Sequence, residues 1–261
     1  MKKFPPERIV CLTEETVETI YLLGEEKRIV GVTGYATRPK QVRNEKPRIS
    51  SFISANVDKI VDLEPDLILA FSDIQSEIVA NLIKKGQSVL CFNQRDIEGI
   101  LNMILTICSL LDVKQKGINL ITKLNDKIYQ IRNKYNNYKK LKVYFEEWND
   151  PLITGLKWVS ELIEIAGGED IFHIKSLNEL AKDRIISEED VIQANPDIII
   201  GSWCGKKVNF NQIRNRKGWD KINAIKYDRI YEIKSPLILQ PGPAALTDGL
   251  DEIVKILNIS R

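Results

Sequence analysis

Three groups of residues in this chain could do chemistry. Glu146-Glu147-Trp148 closes the apolar run KVYFEEW, and adjacent carboxylates there could serve acid–base catalysis or hydrogen bonding to a ligand. Along a strand, neighbouring side chains point to opposite faces. Only one carboxylate would reach a given site, which argues against a catalytic pair and for ligand hydrogen bonding or structural capping. Trp203-Cys204-Gly205-Lys206-Lys207 follows a second apolar run. Cys204 as a nucleophile needs a base, and the only histidine, His173, sits in an IFHIK segment with no motif around it, as a rim or loop residue would. One histidine also argues against zinc or manganese sites built from several His and carboxylates. Lys206 and Lys207 could bind an anionic group. In the first half, Arg38, Asp73 and Arg95 lie in polar loops that follow apolar runs. Gly24, Gly86 and Gly168 read as caps and turns and form no phosphate-binding fingerprint.

A repeat supplies the frame for these residues. Residues 57–72 read VDKIVDLEPDLILAFS and residues 188–203 read EEDVIQANPDIIIGSW. With Pro65 set on Pro196, Pro-Asp recurs, followed each time by aliphatics. A helical stretch ends before each proline, and the run after it lacks polar alternation, as suits a strand buried on both faces of a parallel sheet. Strands are expected at 8–12, 28–33, 66–71 and 88–92, then at 142–148, 197–203 and 229–233, alternating with helices. The pattern predicts an α/β fold of two lobes with parallel central sheets and a ligand cleft between them. Apolar positions at Ile100, Leu101, Ile104, Leu105, Cys108 and Leu111 mark one helix over 97–111. A second helical pattern from 114 to 139 would make a rod of ~37 Å joining the lobes. The expected boundaries are 1–111 for the N-terminal lobe, 112–140 for the connecting helix and 141–261 for the C-terminal lobe. Residues 149–157, NDPLITGLK, read as a loop at a strand C-end, where open α/β sheets place ligands.

Lys plus Arg is 38 against 36 Asp plus Glu, so the +2 balance leaves no nucleic-acid footprint. No run of 18 apolar residues spans a membrane. MKKFPPERIV lacks the apolar core of a secretory signal, so the chain as it stands reads as cytoplasmic, or as periplasmic or cell-surface if a leader was removed. The four cysteines show no paired spacing, and Cys11, Cys91 and Cys108 are expected as buried free thiols.

RIVCLTEETVETIYLLGEEKRIVGVTGY, VDKIVDLEPDLILA and ELIEIAGGEDIF, in that order, resemble the helical-backbone (class III) substrate-binding proteins of ABC transporters. The similarity spans essentially the whole chain, and the vitamin B12 receptors of the BtuF type look closest. The resemblance implies two parallel-sheet lobes joined by one long helix, non-catalytic binding of one ligand, and docking on a membrane permease. It implies aromatics packed against a corrin, at positions matching Phe52 and Phe71 on one lobe and Phe172 on the other, with Tyr35 and Trp203 as further walls. Where the receptors carry polar and cationic pocket residues near the last strand, this chain has Pro236 and Gln240. The EEW and WCGKK segments are more charged than a corrin site needs, which leaves open a smaller, more polar ligand or a differently substituted corrinoid. The family's acidic docking residue matches Glu77, whereas the equivalent stretch of the second lobe, residues 206–209, carries no acid.

The expected ligand contacts are thus Tyr35, Arg38, Phe52, Phe71, Asp73, Arg95, Glu146, Glu147, Trp148, Phe172, Trp203, Lys206 and Gln240. No metal, catalytic residue or resident cofactor is expected, a corrinoid or cobalamin is the favoured ligand, and the chain is expected to be a monomer. An iron–siderophore or haem binder of the same fold is the first alternative. The second is a cytoplasmic enzyme or chaperone that reuses the cleft, with Glu146 or Glu147 as base and Cys204 close by.

Overall fold

The computed structural model describes residues 3–51 and 54–261, and by its internal contacts the chain divides into two compact units. One comprises the chain up to Gln94 together with Glu98–Lys123, the other Arg95–Ile97 together with Leu124–Arg261.

The first unit is built on five parallel strands: β1 (Ile9–Cys11), β2 (Ile29–Thr33), β3 (Arg48–Ser50), β4 (Leu67–Phe71) and β5 (Val89–Phe92). Their order is β3-β2-β1-β4-β5. All five positions of β4 are buried, which is why its sequence shows no alternation. Val10, Leu12, Ile68 and Ala70 pack with Ile60, Ile78 and Leu82 of the flanking helices to form a core. The strand β3 was not foreseen: it is three residues long and only Ile49 in it is buried.

The second unit has β6 (Leu141–Asn149), β7 (Leu152–Thr154), β8 (Gly168–Asp170), β9 (Ile198–Gly201) and β10 (Ile230–Glu232). Strands β8, β6, β9 and β10 pair in parallel. Residues 149–157, expected as a loop, instead contain β7, which folds back antiparallel on the end of β6. Gly168 is the first residue of β8, and the turn before it is made by Gly167 at φ +79. The closing helix opens with one turn of π-helix, Ala245–Gly249, before Leu250–Ser260.

The repeated Pro-Asp has a physical reason. Asp66 Oδ2 accepts the backbone N–H groups of Glu7 and Arg8, both at 3.0 Å, just before β1. Asp197 Oδ2 does the same for Lys142 N–H, at 3.0 Å, in β6. Each aspartate thereby fixes the register of its strand against the central strand of its sheet. Hydrogen bonds to a charged acceptor contribute roughly 1.5–3 kcal/mol. Asp66→Ala is therefore expected to cost about 2 kcal/mol in urea denaturation, and Asp197→Ala about 1 because its contact is exposed. Equal stability of wild type and Asp66→Ala would contradict this account.

Helix Ile97–Leu110 buries Ile100, Met103, Ile104, Ile107 and Cys108. Leu105, expected on that face, is 36% exposed, so the apolar stripe is turned toward Met103 and Ile107. Helix Lys114–Tyr135 has 22 residues, a rod of ~33 Å. Its Gly117 lies so close to Cys108 that a Cβ there would overlap the sulfur, which makes glycine the residue that lets these two helices touch. Among the described residues no helix is long and apolar enough to cross a membrane.

Candidate functional site

Open α/β sheets bind ligands at the carboxyl ends of their strands, where successive connections turn to opposite sides. In the first sheet that point lies between β1 and β4, because β1 leads toward β2 and β4 toward β5. In the second it lies between β6 and β9 by the same reasoning. The two copies of the Pro-Asp repeat are β4 and β9, one at each point.

At the first point, Gln75 stitches the two strand ends together. Its Oε1 accepts Phe71 N–H at 3.1 Å and its Nε2 donates to Leu12 O at 3.1 Å, with the side chain wholly buried. Beyond β1, Thr13 and Thr16 place their hydroxyls 3.2 Å apart at the start of helix Glu14–Leu22. Glu15, two residues after Thr13, is 2% exposed, and its Oε1 has no hydrogen-bond partner. Burial pushes its pKa up to about 7, against the pull of the Thr13 hydroxyl and its own backbone amide, with the Glu18 charge pushing further up.

The second point is built on ion pairs. Glu146 is fully buried and accepts from four donors of three side chains. Tyr144 Oη donates at 3.0 Å, Trp203 Nε1 at 3.0 Å, Arg216 Nη2 at 2.9 Å, and Arg216 Nη1 closes the pair. Burial, aided by the Glu146 charge, raises the Tyr144 pKa well above 10, so the phenol remains a donor. Burial alone would lower the Arg216 pKa, yet the hydrogen bonds and charge of Glu146 raise it. Glu146 thus holds the indole of Trp203, itself 3% exposed, in one orientation. Above it the Lys206 ammonium lies 3.9 Å from the Trp148 ring centroid and 5.1 Å from that of Trp203.

Glu147 goes elsewhere. Glu146 pairs with Thr154 and Trp148 with Ile153, so Glu147 is the extra residue of a β-bulge. It is clasped by Arg184, which is 2% exposed and also donates to Thr154 O at 2.6 Å. Burial raises the Glu147 pKa, and the charges of Arg184 and Arg95 lower it.

The structure therefore gathers Glu146, Trp148, Trp203 and Lys206 at one strand end. Phe172 packs edge-on against Tyr144, with ring centroids 5.6 Å apart. In the first unit Phe71 is 5% exposed at the end of β4, and Asp73 is exposed in the turn after it. Arg38 Nε pairs with Glu18 at 2.9 Å, and Tyr35 is half exposed. Glu77 is exposed in the first turn of helix Ser76–Lys84. Gln240 is half-buried and its carbonyl accepts Gly242 N–H at 2.8 Å, while Pro236 lies in the short helix Ser235–Ile238. Phe52 lies outside the described residues. His173 Nδ1 lies 3.2 Å from the Ser160 hydroxyl. Cys91, expected to be buried, is exposed because β5 is an edge strand, whereas Cys11 and Cys108 are buried, and none of the four cysteines is in a disulfide.

Sequence reasoning missed Glu15, Arg184 and Arg216. Arg216 lies 70 residues from Glu146 and Arg184 lies 37 from Glu147, so no local spacing announces either pair. Glu15 reads as an ordinary acid favoured by a helix N-terminus.

Three comparisons with known proteins bear on this arrangement. The uncharacterized ABC transporter substrate-binding lipoprotein YvrC of Bacillus subtilis is 27% identical, over 97% of this chain and 80% of its own length. The structure of a possible iron-binding, periplasmic solute-binding protein from Staphylococcus epidermidis superimposes with a TM-score of 0.83 at 26% identity, covering 97% of this chain and 99% of that one. That of the periplasmic vitamin B12-binding protein BtuF of Vibrio cholerae does so at 0.78 and 23% identity, covering 99% of each. With the profile of the periplasmic binding protein family matching residues 9–237, the chain belongs to that family.

Proposed function

We propose that this protein is the substrate-binding component of an ABC transporter and that it binds a corrinoid without catalysis, with Trp148 and Trp203 of the second unit among its contacts. One observation carries the reading. At the ends of β6 and β9, the Trp203 indole is held by Glu146 at 3.0 Å and the exposed Lys206 ammonium stands 3.9 Å from the Trp148 ring centroid, so aromatic surface and a cation meet in one place. A broad, weakly polar ring bearing polar substituents suits the aromatic surface of Trp148 and Trp203 with the Lys206 cation beside it. The names of relatives support the transporter reading, and that of the Vibrio cholerae protein supports the ligand. Glu77 is the residue through which the first unit would meet a permease. Such a component works outside the cytoplasmic membrane.

Visible absorption titration with cyanocobalamin and dicyanocobinamide tests the ligand. A dissociation constant tighter than about 1 mM, roughly −4 kcal/mol, is expected for at least one of them. If neither reaches that, the corrinoid assignment fails. A ferric chelate is the second reading, favoured by the exposed cation of Lys206 on the Trp148 ring, and the description of the Staphylococcus epidermidis protein is consistent with it. Quenching of tryptophan fluorescence by ferric siderophores but not by corrinoids would select it.

A further inference from the structure

A groove away from the strand ends has the form of a second binding site. It holds about 530 Å³, within the roughly 300–1,000 Å³ of small-molecule sites, and every residue lining it belongs to the second unit. Its floor is apolar: Ile128 and Tyr135 of helix Lys114–Tyr135 and Ile165 of helix Lys157–Ile165 are all buried. Its walls carry opposite charge. Arg132 and Lys140, on and just after the long helix, are exposed along one wall, and Glu161 and Glu164 of the shorter helix line the other. Among the described residues no ion pair joins the two walls, and the side chains of Arg132 and Lys140 have no partner. The groove is also polarised along its length. At one end Glu161 accepts Ile97 N–H at 2.8 Å. Burial raises its pKa and the Ile97 amide lowers it, while the Asp96 and Glu164 charges push it up against that of Lys157. At the other end Gly167 lies so close to Tyr135 that a Cβ on it would come within 2.9 Å of the tyrosine Cβ. The Asn258 hydrogen bond lowers the Tyr135 pKa against its burial, and the Lys134 and Arg261 charges lower it further. Lys140 belongs to this end, since the next residue, Leu141, pairs with Gly168. Glu161 lies six residues before Gly167, ~9 Å at 1.5 Å per residue.

We infer that this groove binds a short peptide of about three residues, with its amine against Glu161 and its carboxylate against Lys140 and Arg132. Three observations choose that class. An extended chain of three residues spans ~10 Å at ~3.3 Å per residue, which matches the separation of the charged ends. Fixed charges of both signs favour a ligand that carries both over an anion or a cation alone. The buried floor of Ile128 and Ile165 gives an apolar central side chain a surface to cover. A single amino acid, whose amine and carboxylate share one carbon, reaches only one of the two ends. None of Trp148, Trp203 and Lys206 lines the groove, so the inference goes beyond the binding reading above and does not depend on it.

The test is calorimetric titration of the tripeptide Ala-Leu-Ala, its N-acetyl form, its C-terminal amide and free leucine into the wild type, Glu161→Gln and Lys140→Gln. A dissociation constant below about 1 mM is expected for the unmodified tripeptide in the wild type. Blocking either terminus is expected to weaken binding about fivefold, the scale of one part-exposed ion pair. Acetylation should cost nothing further in Glu161→Gln, and amidation nothing further in Lys140→Gln, because each variant already lacks the group that the blocked terminus would meet. Amide chemical-shift changes on adding the tripeptide are expected at residues 125–140 and 161–167. No binding at about 1 mM overturns the inference, as does equal affinity for the blocked peptides in the wild type. Free leucine binding as tightly as the tripeptide overturns it too, and so do shift changes centred on Trp148 and Trp203. The corrinoid titration is read on the same wild-type protein, so failure of that reading and failure of this one are distinct results.

Discussion

Arg216→Met is expected to remove about 3–5 kcal/mol of folding stability, more than any other single polar substitution considered for this chain. The reason is what stays behind. Glu146 has no exposed surface and Arg216 is 6% exposed, so the substitution strands a carboxylate where water cannot reach it. The remaining donors, Tyr144 and Trp203, offer one hydrogen bond each and no charge. Replacing both partners, Arg216→Met with Glu146→Leu, is expected to recover most of the loss, because a buried ion pair is itself close to neutral against an apolar pair of similar volume. Urea denaturation of the two variants settles the matter. A loss below about 1 kcal/mol in the single variant would mean that water reaches the Glu146 carboxylate. The double variant should still misplace the Trp203 indole, so stability and ligand affinity ought to separate in it.

Glu15→Gln is expected to stabilise the ligand-free protein at pH 8 and to change little at pH 4. Here the folded-state value, about 7, is raised above the ordinary 4.5. Folding therefore takes up a proton between those two values, and the stability that protonation supplies is fully present below pH 4.5 and lost as the pH rises through 7. The raised value corresponds to about 3 kcal/mol of penalty on the ionised form, and glutamine removes it. Thermal melts of both proteins from pH 4 to pH 8 should converge at the acid end and diverge at the alkaline end, by several degrees for a chain of this size. Parallel curves across the range would show that Glu15 does not titrate there.

How much of this could be read in the chain alone depended on whether the cause was local. The strands β4 and β9 announce themselves because every position in them is buried, so each carries an uninterrupted aliphatic run. Helix Glu14–Leu22 is equally plain, since Gly24 supplies the positive φ that ends it. Short strands defeated the same reasoning. In β8 the residues Gly168-Glu169-Asp170 pair with the start of β6, and nothing in glycine and two acids suggests a strand. Cys91 misled for another reason: SVLCF reads as a buried strand, but β5 has a neighbour on one side only, and its side chains reach solvent. At the site, Trp148, Trp203 and Lys206 were legible because each follows an apolar run at a strand end. Their supports were not, since Arg216 and Arg184 are fixed by the tertiary fold and stand in polar segments that look like any surface.

The division of the chain has a practical side. Asp96 pairs with Lys157 at 2.7 Å, and Ile97 N–H donates to Glu161 at 2.8 Å, which ties residues 95–97 to the second unit although helix Ile97–Leu110 goes on into the first. The polypeptide therefore passes from one unit to the other three times, and no single cut yields two complete pieces. A fragment ending at Lys123 carries Asp96 and Ile97 away from their partners, and one ending at Gln94 leaves the first unit without the helix that packs on Gly117. Splitting this protein for segmental labelling or for reporter fusions needs an inserted or circularly permuted chain rather than a scission.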